Sequence, residues 1–189
     1  MTTELNRRGF AAAAIGGLAA MAATPAVAQR GLGYAPSLGT LTAGTWIDQV
    51  RAQHRAIDRQ FQVLKGLRGP ARRAAELMTL KTLLTAHSIA EEVALYPGVV
   101  LQVDRGEGER LYREQQEAKV ITAEIDAMLA MRPRDADFVG RLTQLESAIK
   151  AHVAEEEGDA YPRLLRAGGA MNAKMTADFR MAFTRYYNG

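Results

Sequence analysis

The chain has 189 residues with 24 Lys plus Arg against 21 Asp plus Glu, 48% hydrophobic and 24% charged residues, three histidines and no cysteine. This length and balance describe a folded domain with its own core and exclude a disordered chain, while the missing cysteines exclude a disulfide scaffold, a thiolate zinc site, an iron–sulfur cluster, a cysteine nucleophile and a lipidated N-terminal cysteine. A net charge of +3 without a dense Lys/Arg block speaks against a nucleic-acid partner.

In chain order, residues 1–28 read as a signal peptide. Asn6-Arg7-Arg8-Gly9-Phe10 leads into an apolar run over residues 10–23 and a small-residue site at Thr24-Pro25-Ala26-Val27-Ala28, the three parts of a secretory signal. The apolar run is too short to span a bilayer as a stable helix, so cleavage after Ala28 leaves no stable membrane span. The arginine pair resembles a twin-arginine signal, the route for proteins exported already folded, and implies a periplasmic location. Asn6 stands where Ser or Thr is usual. Residues 29–44, rich in Gly, Pro, Ser and Thr, read as a linker.

Four segments with helical periodicity follow, and none shows strand alternation. The first, residues 45–66, starts on the N-cap candidate Thr45 and carries Val50, His54, Ile57, Phe61 and Leu64 on one face. The second follows Gly69-Pro70 and carries Leu77, Leu80, Leu84, His87 and Glu91, stopping near Pro97. A third begins after the Gly106/Gly108 loop with Leu111, Glu114/Gln115, Ala118 and Ile125, ending before Pro133. The fourth carries Phe138, Leu142, Leu145, Ile149, His152 and Glu156 and ends between Pro162 and Gly168. Apolar seams at 3,4 spacing with short connections predict an all-α, antiparallel up-down-up-down four-helix bundle over residues 45–166. Residues 167–189 form a C-terminal extension with a short helix.

An internal repeat runs through the second and fourth segments. His87, Glu91, Glu92, Tyr96 and Pro97 recur at the same offsets as His152, Glu156, Glu157, Tyr161 and Pro162. A His and a Glu four residues apart project from one helix face, here inside seams that are otherwise apolar. Buried carboxylates are costly without compensation, most simply by a cation. At ~1.5 Å rise per residue, His54, His87 and His152 all fall roughly 15 Å from one end of the bundle, with Gln115 near that level. Imidazole and carboxylate donors without sulfur suit iron, manganese or zinc. Three imidazoles and two bridging-capable carboxylates favour two metals over one, and the absence of a His-Glu-x-x-His motif counts against a zinc protease.

These residues resemble the hemerythrin-like family, the HHE cation-binding four-helix bundles. The resemblance is carried by Gln53-His54-x-x-Ile57, His87-x-x-x-Glu91-Glu92 with Leu95-Tyr96-Pro97, and His152-x-x-x-Glu156-Glu157 with Tyr161-Pro162. It implies a non-haem di-iron centre in which His54, His87 and His152 are terminal ligands and Glu91 and Glu156 are bridges. The implied chemistry is binding of, or reaction with, oxygen, peroxide or nitric oxide.

One departure is plain. The family's third helix usually carries Glu-His, and here the pair is Glu114-Gln115, with no histidine left to replace it. Gln115 through its carbonyl oxygen, or Glu114 turned inward, are the candidate substitutes. The gap leaves two other readings open: an oxidase or peroxidase-like di-iron enzyme, and a bundle without metal that serves as an interaction module. Glu92, Glu155 and Glu157 read as solvated charges, with Glu92 and Glu157 also placed to fix imidazole tautomers. Tyr96-Pro97 and Tyr161-Pro162 read as helix stops with packing aromatics.

Overall fold

The computed structural model describes residues 36–188; the expected signal segment and the start of the expected linker lie outside them. Among the described residues every regular element is helical. They are α1 (Leu38–Leu41), α2 (Trp46–Gly66), α3 (Pro70–Ala94), α4 (Tyr96–Gln102), α5 (Arg105–Ala130), α6 (Asp135–Glu155), α7 (Tyr161–Leu164) and α8 (Gly169–Tyr187). A π-turn, Glu156–Ala160, joins α6 to α7, and a 3-10 turn, Leu165–Ala167, follows.

Local chemistry sets most of the boundaries. Asp48 accepts from the backbone N–H and the hydroxyl of Thr45 at 2.9 and 2.6 Å, closing the start of α2 as Thr45 predicts. Gly69 adopts a φ of 85° before Pro70, whose missing N–H is harmless in the first turn of α3. Two differences from the periodicity reading stand out. Pro97 does not simply end a helix: it sits in the first turn of α4, where its ring is tolerated. The expected Gly106/Gly108 loop is the first turn of α5, because the Asp104 carboxylate accepts from the Glu107 N–H at 2.8 Å and caps the helix before both glycines.

Helix α2 packs on α3 and α6, and α5 packs on α3 and α6, so the four long helices form a closed circuit of contacts. Their facing seams bury Val50, Ile57, Phe61, Leu77, Leu80, Leu111, Ile125, Phe138, Leu142 and Leu145, each contributing about 1.5–3 kcal/mol of transfer free energy. Helix α8, 19 residues long, lies along α3 and α2 and buries Met175, Phe179 and Phe183. Trp46, wholly buried, fixes this arrangement by donating from its indole N–H to Asn172 at 2.8 Å and from its backbone N–H to Thr176 at 3.0 Å. Within residues 29–44, Leu41 is buried and its carbonyl accepts from Gln53 at 2.9 Å, tying this segment to α2.

Helices α4 and α5 pack tightly at Gly108, where a Cβ would meet the Val100 side chain and lie 3.1 Å from its backbone nitrogen. Gly108→Ala is therefore expected to destabilise the fold by about 1–3 kcal/mol, read as a lower urea midpoint, whereas Gly140→Ala, with open space around it, lacks that clash.

Candidate metal centre

The circuit of helices brings the polar seam residues to one place in the core. His54 comes from α2, His87 and Glu91 from α3, Glu114 and Gln115 from α5, His152 from α6, and Glu156 from the first position of the π-turn. Glu91 and Glu156 are 0% exposed, and the three histidines are 4–6% exposed. Ligand atoms of His54, His87, Glu91 and Glu156 all lie within 4.8 Å of one another.

Each imidazole is held by its Nδ1 and aims its Nε2 inward. Glu157 accepts from His54 Nδ1 at 2.7 Å, Gln53 Oε1 from His87 Nδ1 at 2.9 Å, and Glu114 from His152 Nδ1 at 2.8 Å. Such tethers fix the ring orientation and the tautomer that leaves Nε2 free to donate a lone pair. Inside, the Nε2 atoms of His54 and His87 are 3.1 Å apart, and His87 Nε2 is 3.2 Å from Glu91 Oε2. Glu156 faces two histidines at once, with Oε1 at 3.2 Å from His152 Nε2 and Oε2 at 3.4 Å from His54 Nε2. That is the disposition of a carboxylate able to bridge two ions.

Two tyrosine hydroxyls complete the cluster. Tyr96, from the start of α4, donates to Glu156 Oε1 at 2.7 Å and lies 2.9 Å from His152 Nε2. Tyr161, from the start of α7, donates to Glu91 Oε1 at 2.6 Å and sits 2.8 Å from Glu156 Oε1. Gln115 donates through its amide to Glu91 Oε2 at 2.7 Å and to the Tyr96 oxygen at 2.6 Å. Each tyrosine is five residues past a glutamate, which at ~100° per residue is about 140° away from it on an ideal α-helix. Local breaks remove that offset. In the fourth segment the Tyr161 N–H donates to the Glu156 carbonyl in a π-type bond; in the second, α3 ends at Ala94 and α4 starts at Tyr96. Pro97 and Pro162 cannot supply the N–H that would continue a regular α-helix through these points.

The electrostatics follow from two carboxylates sharing a buried space. Burial, then the Glu156 charge, raises the Glu91 carboxyl to about 8. Burial also opposes ionisation of Glu156, but the adjacent His152 and His54 hold it well below the ordinary range. For His54, burial is outweighed by the Glu156 and Glu157 carboxylates, and its value rises to about 9. Burial and the His54 charge push His87 well below its ordinary value. The core thus draws positive charge towards Glu156 and His54.

The donor set fits a metal. Glu156 Oε2 and Gln115 Oε1 are buried with no hydrogen-bond partner, an expense that a buried polar atom ordinarily avoids. A divalent or trivalent ion among three imidazoles and two carboxylates would satisfy the first of these oxygens and compensate the carboxylate charge. Imidazole and oxygen donors without sulfur suit iron, manganese or zinc.

The structure brings together His54, His87, Glu91, His152 and Glu156. Gln115 is beside them but offers its amide N–H groups to Glu91 and Tyr96, while Glu114 faces the outer nitrogen of His152 and Arg110. Of the two residues considered for fixing tautomers, Glu157 does so; Glu92 instead pairs with Lys119 and Gln116 on the outside. Sequence reasoning missed Gln53 as a tether and treated Tyr96 and Tyr161 as packing residues. The repeated Glu-x4-Tyr-Pro spacing was the available signal for the tyrosines.

Fold and site together define an all-helical protein with a buried histidine–carboxylate cluster able to hold a metal ion. The chain belongs to the hemerythrin HHE cation-binding domain family, whose sequence profile matches residues 45–164. Domains of this family usually bind iron. The chain is also 31% identical over 114 residues to a protein named DNA nickase from Nostoc sp. (strain PCC 7120 / SAG 25.82 / UTEX 2576), the match covering 60% of this chain and 32% of that protein. The matched part thus spans about a third of that relative's length. No solved structure matches the chain significantly.

Removing a tether leaves the inner donors in place but frees a ring. Gln53→Ala is expected to weaken iron binding about 10–100-fold, measured by chelator competition, with helical content by circular dichroism retained.

Proposed function

We propose that this chain is an exported, hemerythrin-like protein with a non-haem di-iron centre that binds or reacts with oxygen, peroxide or nitric oxide. The observation that carries the reading is Glu156, fully buried, with one carboxylate oxygen towards His152 and the other towards His54. With Glu91 beside it, this disposition supports two ions rather than one. His54 and His87 would serve one ion and His152 the other, in an up-down-up-down four-helix bundle made of α2, α3, α5 and α6 and occupying residues 45–166. Iron so held supplies a redox-active Lewis acid for a small oxygen- or nitrogen-containing ligand.

The protein's own residues shape access. A largely apolar cavity of about 240 Å³ borders His87, Gln115 and His152 and is walled by Ile57, Leu84 and Ala118. It is wide enough to admit a diatomic molecule or a peroxide. The Tyr96 and Tyr161 hydroxyls and the Gln115 amide hold the carboxylates in place and offer protons or hydrogen bonds at the edge of the site.

The departure at Gln115 supports a second reading, an oxidase or peroxidase-like enzyme. The third-helix side chain borders the cavity and presents N–H groups rather than an imidazole. A bundle acting only as an interaction module is the remaining alternative.

Export is part of the proposal. Arg7 and Arg8 ahead of the apolar run at residues 10–23 support a twin-arginine signal over residues 1–28 and a periplasmic location, with residues 29–44 as linker and 167–189 as extension. Among the described residues no helix is long and apolar enough to cross a membrane. Changing both Arg7 and Arg8 to Lys is expected to retain the protein in the cytoplasm, as read by cell fractionation.

Metal analysis after anaerobic ferrous loading is expected to find two irons per chain, and iron content near zero overturns the reading. Free iron at about 100 times its Kd should stabilise the fold by about 2.7 kcal/mol, seen as a raised Tm. Glu156→Ala should abolish that rise, whereas a metal-free module would show none in either protein. Stopped-flow mixing of the ferrous protein with oxygen or peroxide then separates the chemistries: a reversible adduct supports carriage, and turnover supports the enzyme.

A further inference from the structure

The centre is asymmetric. At one end two imidazoles converge, His54 and His87, with Nε2 atoms 3.1 Å apart. At the other end His152 is the sole imidazole, and the atom beside its Nε2, at 2.9 Å, is the Tyr96 phenolic oxygen. We infer that Tyr96 is itself a metal ligand, supplying a phenolate at the His152 end and occupying the coordination position for which the third helix offers no histidine. The inference rests on the iron reading above and deepens it.

The distances are those of a hydrogen-bonded network and are also short enough for these atoms to share one ion. Two ligands bound to one ion at right angles, each at about 2.1 Å, lie roughly 3 Å apart. The Tyr96 oxygen is 2.9 Å from His152 Nε2, 2.7 Å from Glu156 Oε1 and 3.3 Å from Glu91 Oε2, and His152 Nε2 is 3.2 Å from Glu156 Oε1. These four atoms come from α3, α4, α6 and the π-turn, and the four spacings are each of the size of an edge of a coordination polyhedron.

The surroundings fix the position of the Tyr96 oxygen, while burial and the Glu156 and Glu91 carboxylates hold its hydroxyl protonated, well above the ordinary value, until a cation is bound beside it. The ring is wholly buried, packed edge-on against Tyr112 with centroids 5.0 Å apart, which fixes the direction of the hydroxyl. Gln115 presents an amide N–H to that oxygen at 2.6 Å, a hydrogen bond that a phenolate accepts and that strengthens with its charge. A hard, anionic oxygen donor suits ferric iron. Forming the bond releases the phenolic proton to solvent, one proton per bond, and transfers no electron.

Tyr161 provides the internal contrast. It is the repeat partner of Tyr96 and equally buried, but its hydroxyl meets only the carboxylates, at 2.6 and 2.8 Å, and no imidazole nitrogen. Tyr161 is therefore a positioning residue, and Tyr96 the ligand.

The test uses the chain loaded anaerobically with ferrous iron and then oxidised with ferricyanide, a one-electron oxidant. Wild-type protein is expected to show a visible phenolate-to-ferric charge-transfer band. Its resonance Raman ring modes should shift when the protein is grown on ring-deuterated tyrosine. Tyr96→Phe should lose the band and the modes while still binding iron, and Tyr161→Phe should retain both. If Tyr96→Phe does not fold, labelled wild type and Tyr161→Phe decide, because modes that persist in Tyr161→Phe assign the phenolate to Tyr96. Bound iron without deuterium-sensitive modes, or modes lost in Tyr161→Phe but kept in Tyr96→Phe, overturns the assignment and leaves the iron reading intact. Absence of bound iron overturns both.

Discussion

Two carboxylates, Glu91 and Glu156, face one another at zero exposure in the middle of a helical core, and the rest of the site is organised around that fact. Neither charge can be left bare in a low-dielectric interior. Three imidazoles turn their inner nitrogens towards the pair, two phenols and an amide donate to it, and one carboxylate oxygen still lacks a hydrogen-bond donor. The apolar seams above and below this layer do the folding. The layer itself is stable only as a set, because removing one partner would strand another.

Outside the inner set runs a second ring of contacts. Gln53, Glu114 and Glu157 each hold the far nitrogen of a different histidine. They come from α2, α5 and the π-turn, and each reaches a ring on another helix or segment. Glu157 is tied further to Arg51 at 3.6 Å, and Glu114 to Arg110 at 3.7 Å. Orientation of His54 and His152 is thus enforced from the surface inward, and that of His87 from the buried Gln53, which keeps the geometry narrow without requiring the polar layer to pack like hydrocarbon.

The site's core was largely legible in the residues. His54, His87, Glu91, His152 and Glu156 all lie on apolar seams at helical spacing, and a helix turning ~100° per residue must carry such residues to the same side as the leucines around them. Gln115 was legible as a neighbour of the site but not in its manner of contact, because its amide nitrogen rather than its oxygen faces the cluster. Glu92 and Glu157 looked equivalent by position in the repeat. They differ because Lys119 and Gln116 stand beside one, and His54 beside the other.

Apolar periodicity, with three histidines and two glutamates set into its seams and no cysteine, was enough to determine a helical protein, the family it resembles and the chemistry of its donors. Periodicity could do this because it fixes which residues of one helix share a face. It could not find Tyr96 and Tyr161, which nine residues past a histidine fall about half a turn off the seam on a regular helix. Only the folded chain, with its break at Leu95 and its π-turn at Glu156, swings those phenols back to the carboxylates. The tethers on the imidazoles were hidden for a related reason: they are distances between different helices, and no spacing within one helix encodes them.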